Sequence, residues 1–392
     1  MAKLESLGIV RIEALHYYVR ELPRTRRFLT ETLDFREVGG DAPGLVESSG
    51  QRTTVMEAVQ QSGGGVRVLV SEPLTGPAGD GCRAARFLSR HPEGMGSVVF
   101  EVRDAKRALN LIESRGGTPL TDLQTFKEGG GTLHSFAIAT PFGDTTFRFV
   151  ERQGTAVPYP GFLPNPKSAA GGNRYGFTAI DHLTSNFESM GPVSLWLENV
   201  LGFEKFWEIK FHTRDVAPDH ADGSGLKSIV HKDPNSPVKF ANNEPLRPNF
   251  RKSQIHLFNV DHGGEGLQHA ALSTPDLVRT VTELRERGAP FMPTPTSYYD
   301  GMPARLAKTG VGAIDEDIEV LRRLEILVDG DAAHKYLLQI FMNDMATIHK
   351  DTRAGPFFFE LIQRKGDEGF GYGNFRALFE SIERTQKQQG RI

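Results

Sequence analysis

Thr178-Ala179-Ile180-Asp181-His182 is the stretch on which the reading of the fold turns, because the chain has already used its pattern once, as Ile12-Glu13-Ala14-Leu15-His16. Both are short, largely apolar segments whose side chains alternate between two faces, the period of a strand. Each runs into an amphipathic stretch, closing on Leu33-Asp34-Phe35 in the first copy and on Leu201-Gly202-Phe203 in the second. The similarity continues downstream. Gly96-Ser97-Val98-Val99-Phe100-Glu101-Val102 precedes a helix predicted to end at Ile112-Glu113-Ser114-Arg115-Gly116-Gly117, and Gly266-Leu267-Gln268-His269-Ala270-Ala271-Leu272 precedes one ending at Leu284-Arg285-Glu286-Arg287-Gly288-Ala289. Each half thus holds two strand–helix–strands units, four in all. Short strands alternating with single helices, each closed by glycine, predict an α+β fold whose sheets curl around a site.

Between the copies, Gln153 to Arg174 carries four prolines and four glycines and no periodic apolar pattern, so it reads as a linker. It divides the chain into a first domain, 1–152, and a second, 175–392, with the linker at 153–174. The 392 residues carry 46 basic and 49 acidic side chains, a net charge of −3. That balance argues against a nucleic-acid partner or a polybasic membrane surface. No apolar run approaches the ~18 residues of a membrane span, and Met1-Ala2-Lys3-Leu4-Glu5 lacks the apolar core of a secretory signal, so a cytoplasmic location is expected. Cys82 is the only cysteine; it can form neither an intrachain disulfide nor a cysteine zinc site. Phenylalanine is abundant and uneven: seven of the 26 lie between residues 341 and 380.

The halves differ in one respect that bears on chemistry. The second carries His182, His269 and Glu360, and aligning the halves puts His16, Val99 and Arg148 at the matching places. The first half then keeps one of three possible ligands and reads as a scaffold. Two imidazoles and one carboxylate on one side of an ion, with the opposite positions open, suit non-haem Fe(II) oxygenases. His182 shares a strand face with Ile180, and Glu360 shares one with Phe358 and Ile362. An acid set among apolar neighbours is costly to bury unless compensated, by a metal or by an arginine; His269 alone reads more readily as a hydrogen-bonded core histidine. The three together, at corresponding ends of the repeat units, point to a metal. The His-x-Asp pairs His220/Asp222, His231/Asp233 and His349/Asp351 lie in polar, turn-rich segments and are expected to be solvated loop residues.

Eight segments, in order from about residue 177 to the C-terminus, carry a resemblance to a known family. They are Ile180-Asp181-His182-Leu183-Thr184, Gly225-Leu226-Lys227-Ser228, Asn243-Glu244-Pro245, Lys252-Ser253-Gln254-Ile255, Gly266-Leu267-Gln268-His269, Tyr336-Leu337-Leu338-Gln339-Ile340-Phe341, Phe358-Phe359-Glu360-Leu361-Ile362-Gln363-Arg364 and Gly369-Phe370-Gly371-Tyr372-Gly373-Asn374-Phe375. With them the second half resembles the 4-hydroxyphenylpyruvate dioxygenase family of the vicinal-oxygen-chelate superfamily; the first half is only loosely similar. The resemblance implies two tandem domains of paired βαβββ modules forming open barrels, with a C-terminal lid helix. It implies Fe(II) held by His182, His269 and Glu360, and conversion of 4-hydroxyphenylpyruvate and O2 to homogentisate and CO2 in tyrosine and phenylalanine breakdown. It implies a homodimer or homotetramer, and no nucleic-acid or membrane partner.

The same resemblance assigns a substrate pocket to Ser228, Asn243, Gln254, Gln268, Gln339, Phe341, Phe358, Phe370 and Phe375, with Phe341 and Phe375 as the stacking pair. Strand alternation supports Gln339 with Phe341 and Phe358 with Glu360, but turns Gln268 away from His269, leaving it a supporting or a structural role. Phe375, Leu378, Phe379 and Ile382 have the spacing of an amphipathic helix. Gly371, Gly373 and Asn374 before it read as the hinge of a lid, or as the entry to a docked helix that stays put. Ala241 and His256 depart from the family pattern, and the stretch 343–355 is longer and more polar than usual.

Three rivals stand beside this reading. Hydroxymandelate synthase uses the same substrate, iron and fold but hydroxylates the benzylic carbon; it has smaller or β-branched residues where this chain has Phe358 and Asn243. A non-catalytic aromatic-binding member of the superfamily needs no intact triad. Extradiol dioxygenases share the triad type but not the Gly-Phe-Gly-Tyr-Gly-Asn-Phe segment.

Overall fold

A computed structural model describes residues 4–60, 64–154, 157–166, 172–213, 224–294, 296–370, 373–374, 377–379, 382 and 390. The described residues form two mixed sheets. The first contains β1 (Ile9–Tyr18), β2 (Arg36–Asp41), β3 (Gln51–Val59), β4 (Gly65–Pro73), β5 (Gly94–Val102), β6 (Gln124–Glu128), β7 (Gly131–Ile138), β8 (Thr146–Gly154) and β9 (Phe162–Pro164). The second contains β10 (Ala179–Asn186), β11 (Glu204–His212), β12 (Gly225–Lys232), β13 (Lys239–Leu246), β14 (Gly266–Ser273), β15 (Leu327–Ala332), β16 (Lys335–Phe341) and β17 (Phe358–Lys365). Strand order is β6-β7-β8-β5-β1-β4-β3-β2-β9 in the first and β15-β16-β17-β14-β10-β13-β12-β11 in the second. Apart from the edge strand β9, the order is the same, which is the repeat predicted from sequence. The short strand β9 lies inside the proline-rich stretch 153–174 and pairs with β2, so part of that stretch is sheet.

Local chemistry explains the elements. The helices Ala105–Ser114 and Leu277–Glu286 begin at Asp104 and Asp276, whose carboxylates accept from the amides of Arg107 and Arg279. A side-chain acceptor there satisfies one of the free amides at a helix start. Both helices end at a glycine in the left-handed region, Gly116 and Gly288, where other residues are strained. Gly266 opens β14 because a Cβ there would meet the His262 ring at 2.4 Å.

The register corrects the sequence alignment. β1 and β5 pair Ala14 with Val99 and His16 with Ser97, whereas β10 and β14 pair His182 with Ala271 and Thr184 with His269. β5 and β8 pair Val99 with Arg148, as β14 and β17 pair Ala271 with Glu360. The counterparts of His182, His269 and Glu360 are therefore Ala14, Ser97 and Arg148. The first half keeps none of the three ligands, and His16 lies two residues further along its strand. The bulges repeat as well: Glu13 and Asp181 are each the extra residue of the first strand, and Gly96 and Gln268 of its neighbour. Glu13 binds Arg152, and Asp181 binds Arg364, at the same places in the two halves.

One apolar core spans both halves. Phe240 on β13 is fully buried and sits 5.4 Å from Phe142 and 5.5 Å from Phe147, ring centre to ring centre, both from the first half. The polar stretch 343–355 supplies a further tie. It forms the short helix Met345–His349 and a turn over Thr352–Ala354, and binds the first half through Arg24 to Asp351 at 2.8 Å and the Glu93 amide to the Arg353 carbonyl at 2.9 Å.

Candidate metal centre

His182, His269 and Glu360 come together on three neighbouring strands, β10, β14 and β17. One ligand atom from each lies within 4.8 Å of the other two, and all three side chains are buried. Oε2 of Glu360 is 3.3 Å from Nε2 of His182 and 3.2 Å from Nε2 of His269. Ligand bonds of about 2.1 Å at right angles put ligand atoms about 3 Å apart, so these separations suit a shared ion. Among the described residues this is the one such group of three.

Each remaining polar atom of the triad has its own partner. Nδ1 of His182 donates to Asp181 at 2.9 Å, and Nδ1 of His269 to Oε1 of Gln268 at 3.0 Å. Gln339 donates to Oε1 of Glu360 at 2.7 Å. The proton of each imidazole is thereby fixed on Nδ1, leaving the Nε2 lone pairs and Oε2 directed at one point. This is how outer partners orient the ligands of a metal.

Strand alternation had turned Gln268 away from His269. It fails because Gln268 is a bulge residue, opposed by no residue of β10, and a bulge re-aims its side chain. The bulge at Asp181 does the same beside His182. Asp181, with the Arg364 that grips it through two bonds of 2.7 Å, was missed as a site residue. The available signal was the doubled acid, Glu13 and Asp181, with the doubled arginine, Arg152 and Arg364.

Charge follows this geometry. Burial opposes ionisation of Glu360, but the facing His182 and then His269 outweigh it and hold its pKa at about 2. Burial likewise pushes Asp181 up, and Arg364 reverses it to well below the usual carboxylate range. Burial lowers His182 too, yet Glu360 and Asp181 leave it raised; His269, for which burial prevails, is lowered.

Aromatic rings flank both imidazoles. Phe358 stacks on His269 at 4.7 Å, Phe341 is 6.0 Å from it, and Phe370 meets His182 edge-on at 4.7 Å. Ser228 and Asn243 face each other across β12 and β13, and Gln254 opens the helix Gln254–His262. All three are buried, and among the described residues Ser228 Oγ, Asn243 Oδ1 and Gln254 Oε1 have no hydrogen-bond partner. Asn374, fully buried, donates to Gln339 at 2.9 Å and accepts from the Tyr298 hydroxyl at 2.6 Å. A chain of bonds thus joins Tyr298, Asn374, Gln339 and Glu360. Gly373 donates its amide to Asp329, and the described residues Gly373, Asn374, Ala377, Leu378, Phe379 and Ile382 are helical. Phe375 and Gly371 lie outside the described residues.

The expected decoys separate. His231 is not a loop residue: it sits on β12, fully buried, 3.1 Å from Glu198. Its polar flanks belong to the strand end, which is what made it resemble a turn. His349 ends its short helix, and His220 and Asp222 lie outside the described residues. The departures Ala241 and His256 leave the triad untouched; Ala241 is buried on β13, and His256 binds Glu188 at 2.7 Å.

The chain is similar to known proteins along most of its length. The family model of the Glyoxalase/Bleomycin resistance protein/Dioxygenase superfamily matches residues 9–145 and 179–306. The 4-hydroxyphenylpyruvate dioxygenase of Dictyostelium discoideum is 34% identical over 350 residues, covering 88% of this chain and 90% of its own. That of Caenorhabditis briggsae is 35% identical, covering 88% and 84%. Among solved structures, a mutant of 4-hydroxymandelate synthase from Streptomyces coelicolor superposes with a TM-score of 0.77 over 97% of this chain and 99% of that one, at 24% identity, a likeness of fold. With relatives this similar along nearly the whole chain, and the superfamily pattern present in both halves, the chain belongs to the 4-hydroxyphenylpyruvate dioxygenase family.

Proposed function

We propose that the protein is an Fe(II)-dependent dioxygenase that converts 4-hydroxyphenylpyruvate and O2 to homogentisate and CO2, a step of tyrosine and phenylalanine breakdown. The observation that carries the reading is the convergence of Glu360 Oε2 with Nε2 of His182 and His269 on one point, every other polar atom of the three being engaged. The donor set, two neutral imidazoles and one carboxylate, fits Fe(II). Bound there, iron would supply the activation of dioxygen and the open positions that a 2-oxo acid can occupy.

The chain's own residues do the rest. Asp181 and Gln268 keep both imidazoles in the Nδ1–H form; Gln339 holds Glu360 Oε1 and leaves Oε2 free. Phe358, Phe341 and Phe370 give the substrate's ring apolar walls and exclude water, and Phe375 is assigned the position opposite Phe341. Asn243 and Gln254 have unfilled acceptor oxygens, which suit a phenol O–H, and the Ser228 hydroxyl suits an acceptor on the substrate. The C-terminal segment from Gly371 acts as a lid, tied to the ligand shell through Asn374 and Gln339. Retention of Phe358 and Asn243 favours ring oxidation over the benzylic hydroxylation of hydroxymandelate synthase.

The domain division at 153–174, the cytoplasmic location and a homodimer or homotetramer belong to the same proposal. Among the described residues no helix is long and apolar enough to cross a membrane. The test is O2 uptake on addition of 4-hydroxyphenylpyruvate to iron-loaded protein, alongside bound iron. His182→Ala, His269→Ala and Glu360→Ala are each expected to lose both; near-full turnover in any one overturns the assignment.

A further inference from the structure

The first half carries a partly open cavity of about 380 Å³, in the sheet that repeats the metal-bearing one. Its wall includes the polar side chains of Arg148, Arg83 and His16 and the apolar or aromatic ones of Leu69, Phe126 and Tyr159. By register Arg148 occupies the place of Glu360, so a fixed guanidinium stands where the second half presents a carboxylate to a cation. Among the described residues Arg148 has no hydrogen-bonding or ion-pairing carboxylate. The carboxylate that acts on it, Glu13, is already bound to Arg67 and Arg152.

Other donors point the same way. Arg83 donates to Thr146 Oγ1, but its buried Nε has no partner. His16, 4% exposed, binds Ser71 through Nε2 at 2.7 Å and has no partner at Nδ1. Asp41, also at the wall, accepts from the Thr53 amide at 2.7 Å. Two half-buried guanidinia, neither of them hydrogen-bonded to or paired with a carboxylate among the described residues, leave donors free for an anion, and a planar carboxylate accepts from arginine in paired bonds. The volume suits a small ligand, and the apolar wall suits a ring.

We propose that this cavity is a second, non-catalytic site, which binds a small organic carboxylate by its charge on Arg148 and Arg83 and by an aromatic or branched apolar body against Leu69, Phe126 and Tyr159. Identification of the occupant as the enzyme's own aromatic acid rests on the proposed reaction; binding of the class does not. The test is calorimetric titration of the full-length, iron-loaded protein with phenylacetate and, separately, with homogentisate. Wild type is expected to show a binding component that Arg148→Gln weakens about tenfold or more and that Glu360→Gln keeps. If homogentisate is the occupant, it shares that component; if phenylacetate alone binds, the site takes the class and not the product. Arg148→Gln is expected to fold, since it removes an unpaired charge, and its melting temperature should equal or exceed that of wild type. Arg83→Gln gives the same test at the second guanidinium. Absence of the component in wild type, its survival in both arginine variants, or its loss with Glu360→Gln overturns the proposal. The Glu360→Gln result also separates it from the catalytic reading, whose failure would leave the component in place.

Discussion

Asp181→Asn removes the negative charge that both orients His182 and neutralises Arg364, at almost constant side-chain size. Asp181 accepts two bonds of 2.7 Å from Arg364 and one of 2.9 Å from His182. Loss of an outer partner of a ligating histidine typically weakens metal affinity by about 10–100-fold, or about 1.4–2.7 kcal/mol. Breaking a buried ion pair from one side typically costs about 3–5 kcal/mol. Arg364 still donates to the carbonyls of Asp367 and Gly369, so the lower end, about 3 kcal/mol, is expected here. The repeat supplies an internal control. Glu13→Gln breaks the equivalent pair with Arg152 in the half that has no ligand triad. The assays are urea unfolding of the metal-free forms at neutral pH, where Asp181 is ionised, and chelator competition for Co(II), which does not consume O2. Both variants should lose stability; only Asp181→Asn should lose metal affinity. An affinity in Asp181→Asn equal to wild type, or an equal loss in Glu13→Gln, would refute the reasoning.

Three further outcomes are expected. Gln339→Leu leaves Glu360 Oε1 and Asn374 Nδ2 without partners; metal affinity should fall about tenfold, and hydrogen exchange should rise in the segment after Gly369 together with it, so unchanged exchange there contradicts the coupling of lid to ligand. Phe240→Ala should cost about 3–5 kcal/mol and lower a melting transition shared by both halves, because its ring joins them; separate transitions in the wild type would be inconsistent with this. The third concerns acid. Burial and then the neighbouring His91 lower His262 from 6.5 to about 4. The unfolded chain therefore takes up this proton at higher pH than the folded one, so the stability contributed by neutral His262 is complete above 6.5 and declines as pH falls to about 4, by up to about 3 kcal/mol. His262→Gln should flatten the pH dependence of stability in that window, and an unaltered slope would contradict the assignment.

The repeat, the curled α+β architecture and the triad were legible because periodic strands, glycine-closed helices and a buried acid leave marks in sequence. The register was less so. Matching His16 to His182 relied on the eye-catching residue of each strand, whereas the paired strands, bulges and acid–arginine bonds align Ala14 with His182. Bulges were also the reason Gln268 defied alternation: one inserted residue changes which face a side chain takes, and a single sequence gives no sign of where it falls. The stretch 343–355 was legible only as long and polar. Its polarity is that of a contact with the first half, through Asp351 and Arg353, and a partner distant in the chain cannot be read locally. The phenylalanine crowd divides as its strand faces suggest: Phe341, Phe358 and Phe370 stand beside the imidazoles, while Phe357 and Phe359 pack in the core and Phe379 packs against Phe211.

The most direct measurement is identification of the product formed by iron-loaded protein from 4-hydroxyphenylpyruvate under O2, with CO2 measured alongside. Homogentisate in equal amount to CO2 is the expected result. 4-Hydroxymandelate would place the oxidation on the benzylic carbon instead of the ring, and the absence of O2 uptake by fully loaded protein would contradict a catalytic role for the His182–His269–Glu360 centre.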